Sequence, residues 1–111
     1  MRCIYRGYEL STRPALAHEE MLEHGTCNGY LKIPEFQGIS YWDIPQGSIH
    51  GGWTYRNDDI FGFDTLHYNS KKYMDEEWVI NHLKEYVDEV LMKMDKERFI
   101  NARIVININE K

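Results

Sequence analysis

The sequence predicts an α+β fold: an antiparallel or mixed β-sheet with a central hairpin, packed by one long C-terminal helix and one short N-terminal helix, and ending in a β-strand. Three patterns carry that expectation. Residues 48–56 and 60–66 are rich in Ile, Trp, Tyr, Phe and Thr around the polar triplet Asn57-Asp58-Asp59, the pattern of two strands and a turn. Between 75 and 96, Trp78, Val79, Leu83, Tyr86, Val87, Val90, Leu91 and Met94 recur at three- and four-residue spacing, the stripe of a helix facing a core. From 100 to 109, Ile100, Ala102, Ile104, Ile106 and Ile108 alternate with a largely polar set, the pattern of a strand buried on one side.

The elements follow in order. Residues 2–10 alternate and read as a first strand. A helix is expected next, with Thr12 as its cap, Pro14 in its first turn, good helix formers from Ala15 to His24, and Gly25 just past its end. Gly29–Ile33 reads as a second strand closed by Pro34, which has no N–H to give a ladder. The stretch from Glu35 to Gln46 reads as a loop whose Tyr41-Trp42 pair either lids a pocket or covers the core. The hairpin comes next, then a polar stretch from Tyr68 to Tyr73. The long helix opens at Asp75, a good cap, with Glu76 and Glu77 placed to favour the positive end of its dipole.

Composition bounds the function. In 111 residues, 13 basic and 18 acidic side chains give a net charge of −5, with 42% hydrophobic and 14% aromatic residues. That predicts a single domain over 1–111 with ample core material. Long nucleic acid is excluded as a partner, because neutralising phosphates needs a surplus of Lys and Arg. No apolar run approaches the roughly 20 residues that span a bilayer, and the opening residues do not read as a signal peptide. The expectation is a soluble cytoplasmic protein with no membrane partner. Cys3 and Cys27 have no Cys-x-x-Cys spacing, so two reduced thiols are expected in preference to a bridge. No dinucleotide fingerprint, Walker loop, His-Glu-x-x-His or nucleophile elbow occurs, and no cofactor or metal is expected.

Candidate chemistry gathers on the hairpin. Two consecutive glycines, Gly51 and Gly52, are odd inside a strand and are tolerated where there is a bulge or where a ligand approaches; the bland alternative is room for a neighbour such as Trp42 or Trp78. His50, Asp64 and His67 are the residue types of a metal site or of an acid–base pair. Pairing restrains that idea. If Tyr55 lies opposite Ile60, facing numbers sum to an odd value, so His50 shares a face with His67 while Asp64 points away; a register shifted by one joins His50 to Asp64 instead. Regular pairing never delivers all three to one point. A metal site needs a bulge at the glycines or a chain that leaves the strand before His67.

Arg6, Arg13, Lys32, Arg56 and Arg103 are the basic side chains suited to an anion, with Arg6, Lys32 and Arg103 expected on strands. Eight tyrosines supply rings that stack on a base and hydrogen-bond at one end, Tyr30 among them. The plain alternative is a tyrosine-rich core.

Gly29-Tyr30-Leu31-Lys32-Ile33-Pro34, then His50-Gly51-Gly52-Trp53-Thr54-Tyr55, then Gly62-Phe63-Asp64-Thr65-Leu66-His67 resemble the motifs of a family of small phage and prophage proteins. That family reads Gly-Tyr-Val-x-x-Pro, His-Gly-Gly-Leu-Thr-Tyr and Trp-x-x-Gly-Phe-Asp-x-x-His, and the likeness covers about residues 25–90. This chain departs from it in Trp53 for Leu, in the length of its acidic turn, and in Asn69-Ser70 where a Gly-Asp type pair often stands, which weakens a metal site that would recruit the second acid. The resemblance implies an accessory protein in the cytoplasm of the bacterial host cell and carries no reaction with it. The expectation is stoichiometric binding, as a counter-defence sponge for a small anionic or nucleotide-like immune signal, by a homo-oligomer. His50, Gly51, Gly52, Thr54, Asp64, His67, Tyr30 and Arg103 are the expected ligand-binding residues. The alternatives are a small hydrolase using His50 and Asp64, with or without a metal, and an inhibitor that binds a host defence protein, for which the isoleucine strand at 102–109 offers an edge.

Overall fold

The computed structural model describes residues 1–14, 27–66 and 70–94. Their core is a five-stranded antiparallel sheet in the order β1-β2-β3-β5-β4, with β1 at Arg2–Tyr5, β2 at Tyr8–Pro14, β3 at Cys27–Lys32, β4 at Tyr55–Asn57 and β5 at Ile60–Asp64. One helix, α1 at Glu76–Tyr86, packs on one face and runs on into a π-helical turn at Val87–Leu91. The α+β class is therefore as expected. No helix among the described residues is long and apolar enough to cross a membrane.

The N-terminal expectation needs correction. Residues 2–10 form a hairpin and not one strand, because Arg6 and Gly7 both take positive φ (49° and 85°), the two-residue type I′ turn whose twist suits paired strands. Thr12 and Pro14 belong to β2, where Thr12 lies opposite Gly29 and Pro14 ends the pairing opposite Cys27. Thr12 therefore caps no helix there; its hydroxyl donates to Glu76 Oε1 at 2.8 Å, joining β2 to the start of α1. The helix expected over Ala15–His24 and the strand expected over 100–109 lie outside the described residues.

The central hairpin is shorter than its composition suggests. β4 opens only at Tyr55, and Ser48–Thr54 is a run of turns. The ladder pairs Tyr55 with Gly62 and Asn57 with Ile60 around the turn Asp58-Asp59, so facing numbers do sum to an odd value. His50 has already left the ladder. The helix begins as expected: the Asp75 side chain accepts from the Trp78 N–H at 3.0 Å, which satisfies one orphan donor of the first turn. Its regular α-helical part ends at Tyr86, ten residues short of the expected Lys96, and residues 95–96 are not described.

Alternation along the strands sorts the sheet into two faces. Tyr8, Leu10, Cys27, Leu31, Phe61 and Phe63 turn to the helix side, where Val79, Leu83, Tyr86, Val87 and Leu91 meet them, all of them buried. One helix is too narrow to cover five strands. The segment from Ile33 to Trp53 covers the remainder with Ile33, Phe36, Ile39, Ile44, Ile49 and Trp53. Trp53 is its anchor, with its ring centroid 5.0 Å from that of Tyr86 and 5.9 Å from that of Phe61. Tyr41 donates from its hydroxyl to the Trp53 carbonyl at 2.9 Å, while Trp42 projects outward, 90% exposed, and so neither lids a pocket nor covers the core among the described residues.

Candidate functional site

The second face of the sheet is open among the described residues, and the registers place its side chains in transverse rows. Arg2 faces Ser11, Ser11 faces Tyr30, Tyr30 faces Gly62 and Gly62 faces Tyr55, so one row crosses all five strands. The next row runs Ile4, Glu9, Lys32, Ile60, Asn57, and on the other side stand Arg13, Asn28 and Asp64. Among the described residues, Arg2, Arg13 and Lys32 against Glu9 and Asp64 leave this face with one positive charge in excess, in a chain of net charge −5.

Tyr30 is the centre of the arrangement. Gly62 lies under its ring; a Cβ at that position would stand 2.8 and 2.9 Å from two ring carbons. Removing the side chain at 62 lets the Tyr30 ring lie across β5, where it meets Tyr55 edge-on at 5.4 Å. The Arg13 guanidinium stands 5.6 Å from the Tyr30 centroid, a cation on the ring's negative face. Two grooves flank Tyr30. One, of about 360 Å³, lies over Ser11 and is walled by Arg2, Ile4, Glu9, Tyr30, Lys32 and Ile60. The other, of about 240 Å³, is lined by Asn28, Tyr30, Thr54, Tyr55 and Asp64. Beside this second groove the Asn28 Oδ1 atom is buried without a hydrogen-bond partner among the described residues. Such an atom costs about 1–3 kcal/mol until a donor reaches it.

His50 belongs to a different cluster, on the helix side. Its backbone N–H donates to His82 Nε2 at 2.9 Å, and its own Nε2 stands 2.7 Å from the Ser70 hydroxyl. The Trp78 ring stacks on His82 at 4.7 Å and meets His50 edge-on at 5.9 Å. The bond from His50 fixes the chemistry of His82: Nε2 must hold a lone pair, so the ring is neutral and its proton sits on Nδ1, 3.7 Å from Glu85 Oε2. Burial acts in the same sense and lowers the His82 pKa, against the smaller opposing pull of Glu85 and Glu89.

The glycine pair has a backbone explanation in place of the expected strand irregularity. The Gly52 N–H donates to the Ile49 carbonyl, closing a turn with Gly51 at its third position, and Gly51 and Gly52 have φ of 72° and 75°. A Cβ at Gly52 would meet Gln46 Oε1 at 3.2 Å, not Trp42 or Trp78.

The expected site residues therefore divide. Tyr30, Thr54 and Asp64 gather around the open-face groove, and His50 sits with Ser70, Trp78 and His82. Asp64 ends β5, and its Oδ1 accepts from the Leu66 N–H at 2.9 Å, which turns the chain out of the strand. His67 and Arg103 lie outside the described residues. No group of three His, Cys, Asp or Glu side chains suited to a metal occurs among the described residues.

Of the basic candidates, Arg6 is a turn residue bonded to Asp88 at 2.7 Å rather than a strand residue. Arg56 is held by the Asp58 and Phe36 carbonyls over the Phe61 ring. Arg13 and Lys32 do reach the open face, and Arg2, Ser11 and Tyr55 join them unforeseen. The missed signal was the pair Arg6-Gly7 between Tyr5 and Tyr8: read as a two-residue turn, it places Arg2, Ser11 and Arg13 on one face. Comparison with family models, with curated proteins and with solved structures finds no match to this chain.

Proposed function

We propose that the chain works by stoichiometric binding, with its open sheet face holding a small anionic, nucleotide-like ligand. In the phage accessory setting that its motifs resemble, this makes it a counter-defence sponge for a nucleotide immune signal. The observation that carries the proposal is the transverse row Arg2, Ser11, Tyr30, Gly62, Tyr55. It sets a cation, a small hydroxyl and two aromatic rings side by side, with Arg13 and Lys32 in the flanking rows. Aromatic rings on an open antiparallel sheet stack on bases, and Arg and Lys at their margins meet phosphate. The positive balance of the face steers an anion to it despite the negative balance of the whole chain.

The test is capture followed by release. The purified protein is equilibrated with a panel of nucleoside 5′-monophosphates, cyclic nucleotides and ADP-ribose derivatives, washed and denatured, and the released small molecules are identified. Intact ligand at about one equivalent per site, lost in Tyr30→Ala, is the expected result. A panel that leaves no ligand on the protein refutes the proposal.

One contact favours the hydrolase alternative. The 2.7 Å approach of His50 Nε2 to Ser70 Oγ is the spacing of a base and a nucleophile. Against it, Ser70 is only 3% exposed, so the hydroxyl is shielded from a substrate carbonyl or phosphate. A fluorophosphonate probe that labels Ser70, or a changed nucleotide among the released molecules, moves the conclusion to an enzyme.

A further inference from the structure

We infer that the ligand is a single nucleotide with a terminal phosphate, its base against Tyr30 in the groove over Ser11 and its phosphate between Arg2 and Lys32. This rests on the open-face reading above and narrows it in size and in orientation. Ser11 is small and lies between Arg2 and Tyr30, so it forms the floor of a trough with a cation on one side and an aromatic ring on the other. Arg2 stands two strands from Tyr30, roughly 10 Å across, and Lys32 stands two residues along β3, roughly 7 Å away. A base in the trough against Tyr30 thus has the backbone of both cations within roughly 10 Å, and their long side chains span the distance to its sugar phosphate.

The placement of charge favours one nucleotide over two. The trough holds about 360 Å³ between Ile4 and Ile60. That is at the low end of the roughly 300–1,000 Å³ of ligand sites and suits one nucleotide. The apolar walls at Ile4 and Ile60 also offer no partner to a second phosphate. One acid marks the phosphate end: Glu9 lies directly opposite Lys32 and beside Ile4. It offsets part of the local positive charge, so its removal is a gain-of-binding test that misfolding cannot imitate.

The experiment is calorimetric titration of the full chain with inorganic phosphate, adenosine, guanosine, their 5′-monophosphates and a cyclic dinucleotide. The monophosphates are expected to bind at least about tenfold tighter than the nucleosides, the scale of charge-assisted hydrogen bonds to one phosphate. Arg2→Gln combined with Lys32→Gln should erase that advantage and leave the nucleosides unchanged. Tyr30→Ala should weaken nucleosides and monophosphates alike, by about tenfold or more. Glu9→Gln should tighten the monophosphates roughly fourfold, the Coulomb effect of a unit charge about 5 Å away in a water-like medium, without moving the nucleosides. A cyclic dinucleotide that binds tighter than the monophosphates overturns this inference while leaving open-face binding in place. Inorganic phosphate matching the monophosphates removes the base site, and an unchanged Glu9→Gln removes the phosphate from Lys32. If no probe binds, both this inference and the proposal beneath it fall.

Discussion

Two glycines on neighbouring strands, Gly29 and Gly62, make opposite predictions for the same substitution. Each faces an aromatic residue across the β3–β5 ladder, Gly29 opposite Phe63 on the helix side and Gly62 opposite Tyr30 on the open side. A Cβ at Gly29 would stand 2.5 Å from Val79 Cγ1, 2.8 Å from Phe63 Cε1 and 3.3 Å from Leu83 Cδ1. All three neighbours are buried, so none can swing away. Overpacking of this kind costs about 1–3 kcal/mol, while replacing a strand glycine recovers about 0.5–1 kcal/mol of backbone entropy. Gly29→Ala should therefore lose about 1–2 kcal/mol, a fall in Tm of roughly 4–8 °C for a domain of this size. Gly62→Ala meets only the half-buried Tyr30 ring and the Gly29 carbonyl at 3.2 Å. The ring tips toward solvent, the entropy gain offsets much of the contact, and Tm should stay within about 3 °C of the parent. Under the proposed function, the displaced ring should also weaken nucleotide binding by about tenfold, the loss of one stacking surface. Calorimetric melting and ligand titration of both variants separate the two effects. If Gly62→Ala melts earlier than Gly29→Ala, the assignment of faces is wrong.

Asp75→Ala removes the acceptor of the Trp78 N–H and should cost about 0.5–2 kcal/mol in denaturant unfolding, with Asp75→Asn retaining most of the stability. His82 makes stability depend on pH in a defined direction. Its pKa in the folded chain lies below the ordinary 6.5 of a histidine, so the unfolded chain binds the proton first; its contribution is intact above about pH 6.5 and falls as pH drops from there toward the folded pKa. His82→Gln should flatten that part of the stability–pH curve measured against the parent, and an unchanged slope refutes the assignment. The two thiols should differ in reactivity, because burial pushes Cys27 up to about 11 and leaves it 1% exposed, whereas Cys3 is half-buried. Under native conditions one equivalent of a maleimide should react, at Cys3 by peptide mapping. No disulfide should form between them, since β2 separates their strands by roughly 10 Å, beyond the roughly 7 Å a bridge allows.

What could be read from the chain was periodicity, and what could not was the placement of turns. The stripe from Trp78 to Leu91 and the cap at Asp75 led to α1 because a helix advertises itself over many residues. The alternation in residues 2–10 was equally visible but was broken by Arg6 in a left-handed conformation that only Asn, Asp and Gly commonly signal. Without that turn, residues 2–10 read as one strand and Thr12 and Pro14, the end of β2, as the start of a helix, so Arg2, Ser11 and Arg13 do not come together as a group. The stretch Ile49–Thr54 failed for the opposite reason. Its composition is that of a strand, yet Ile49 and Trp53 are apolar because they cover the sheet, not because they pair within it.

The two glycine motifs carry different meanings once these turns are in place. In His50-Gly51-Gly52 the glycines supply positive φ, and the histidine they deliver is held by its backbone N–H to His82 under Trp78. In Gly62-Phe63-Asp64 the glycine supplies space, and the side chain it accommodates is Tyr30, across the ladder. The first use sets the loop that closes the core beside α1. The second makes the open face flat enough for a ring to lie on, which no residue with a Cβ at 62 would allow. A site on this sheet therefore depends less on the histidine and acid that look reactive in sequence than on a missing side chain. The residue at 62 controls the height of Tyr30, and through it the depth of the groove over Ser11.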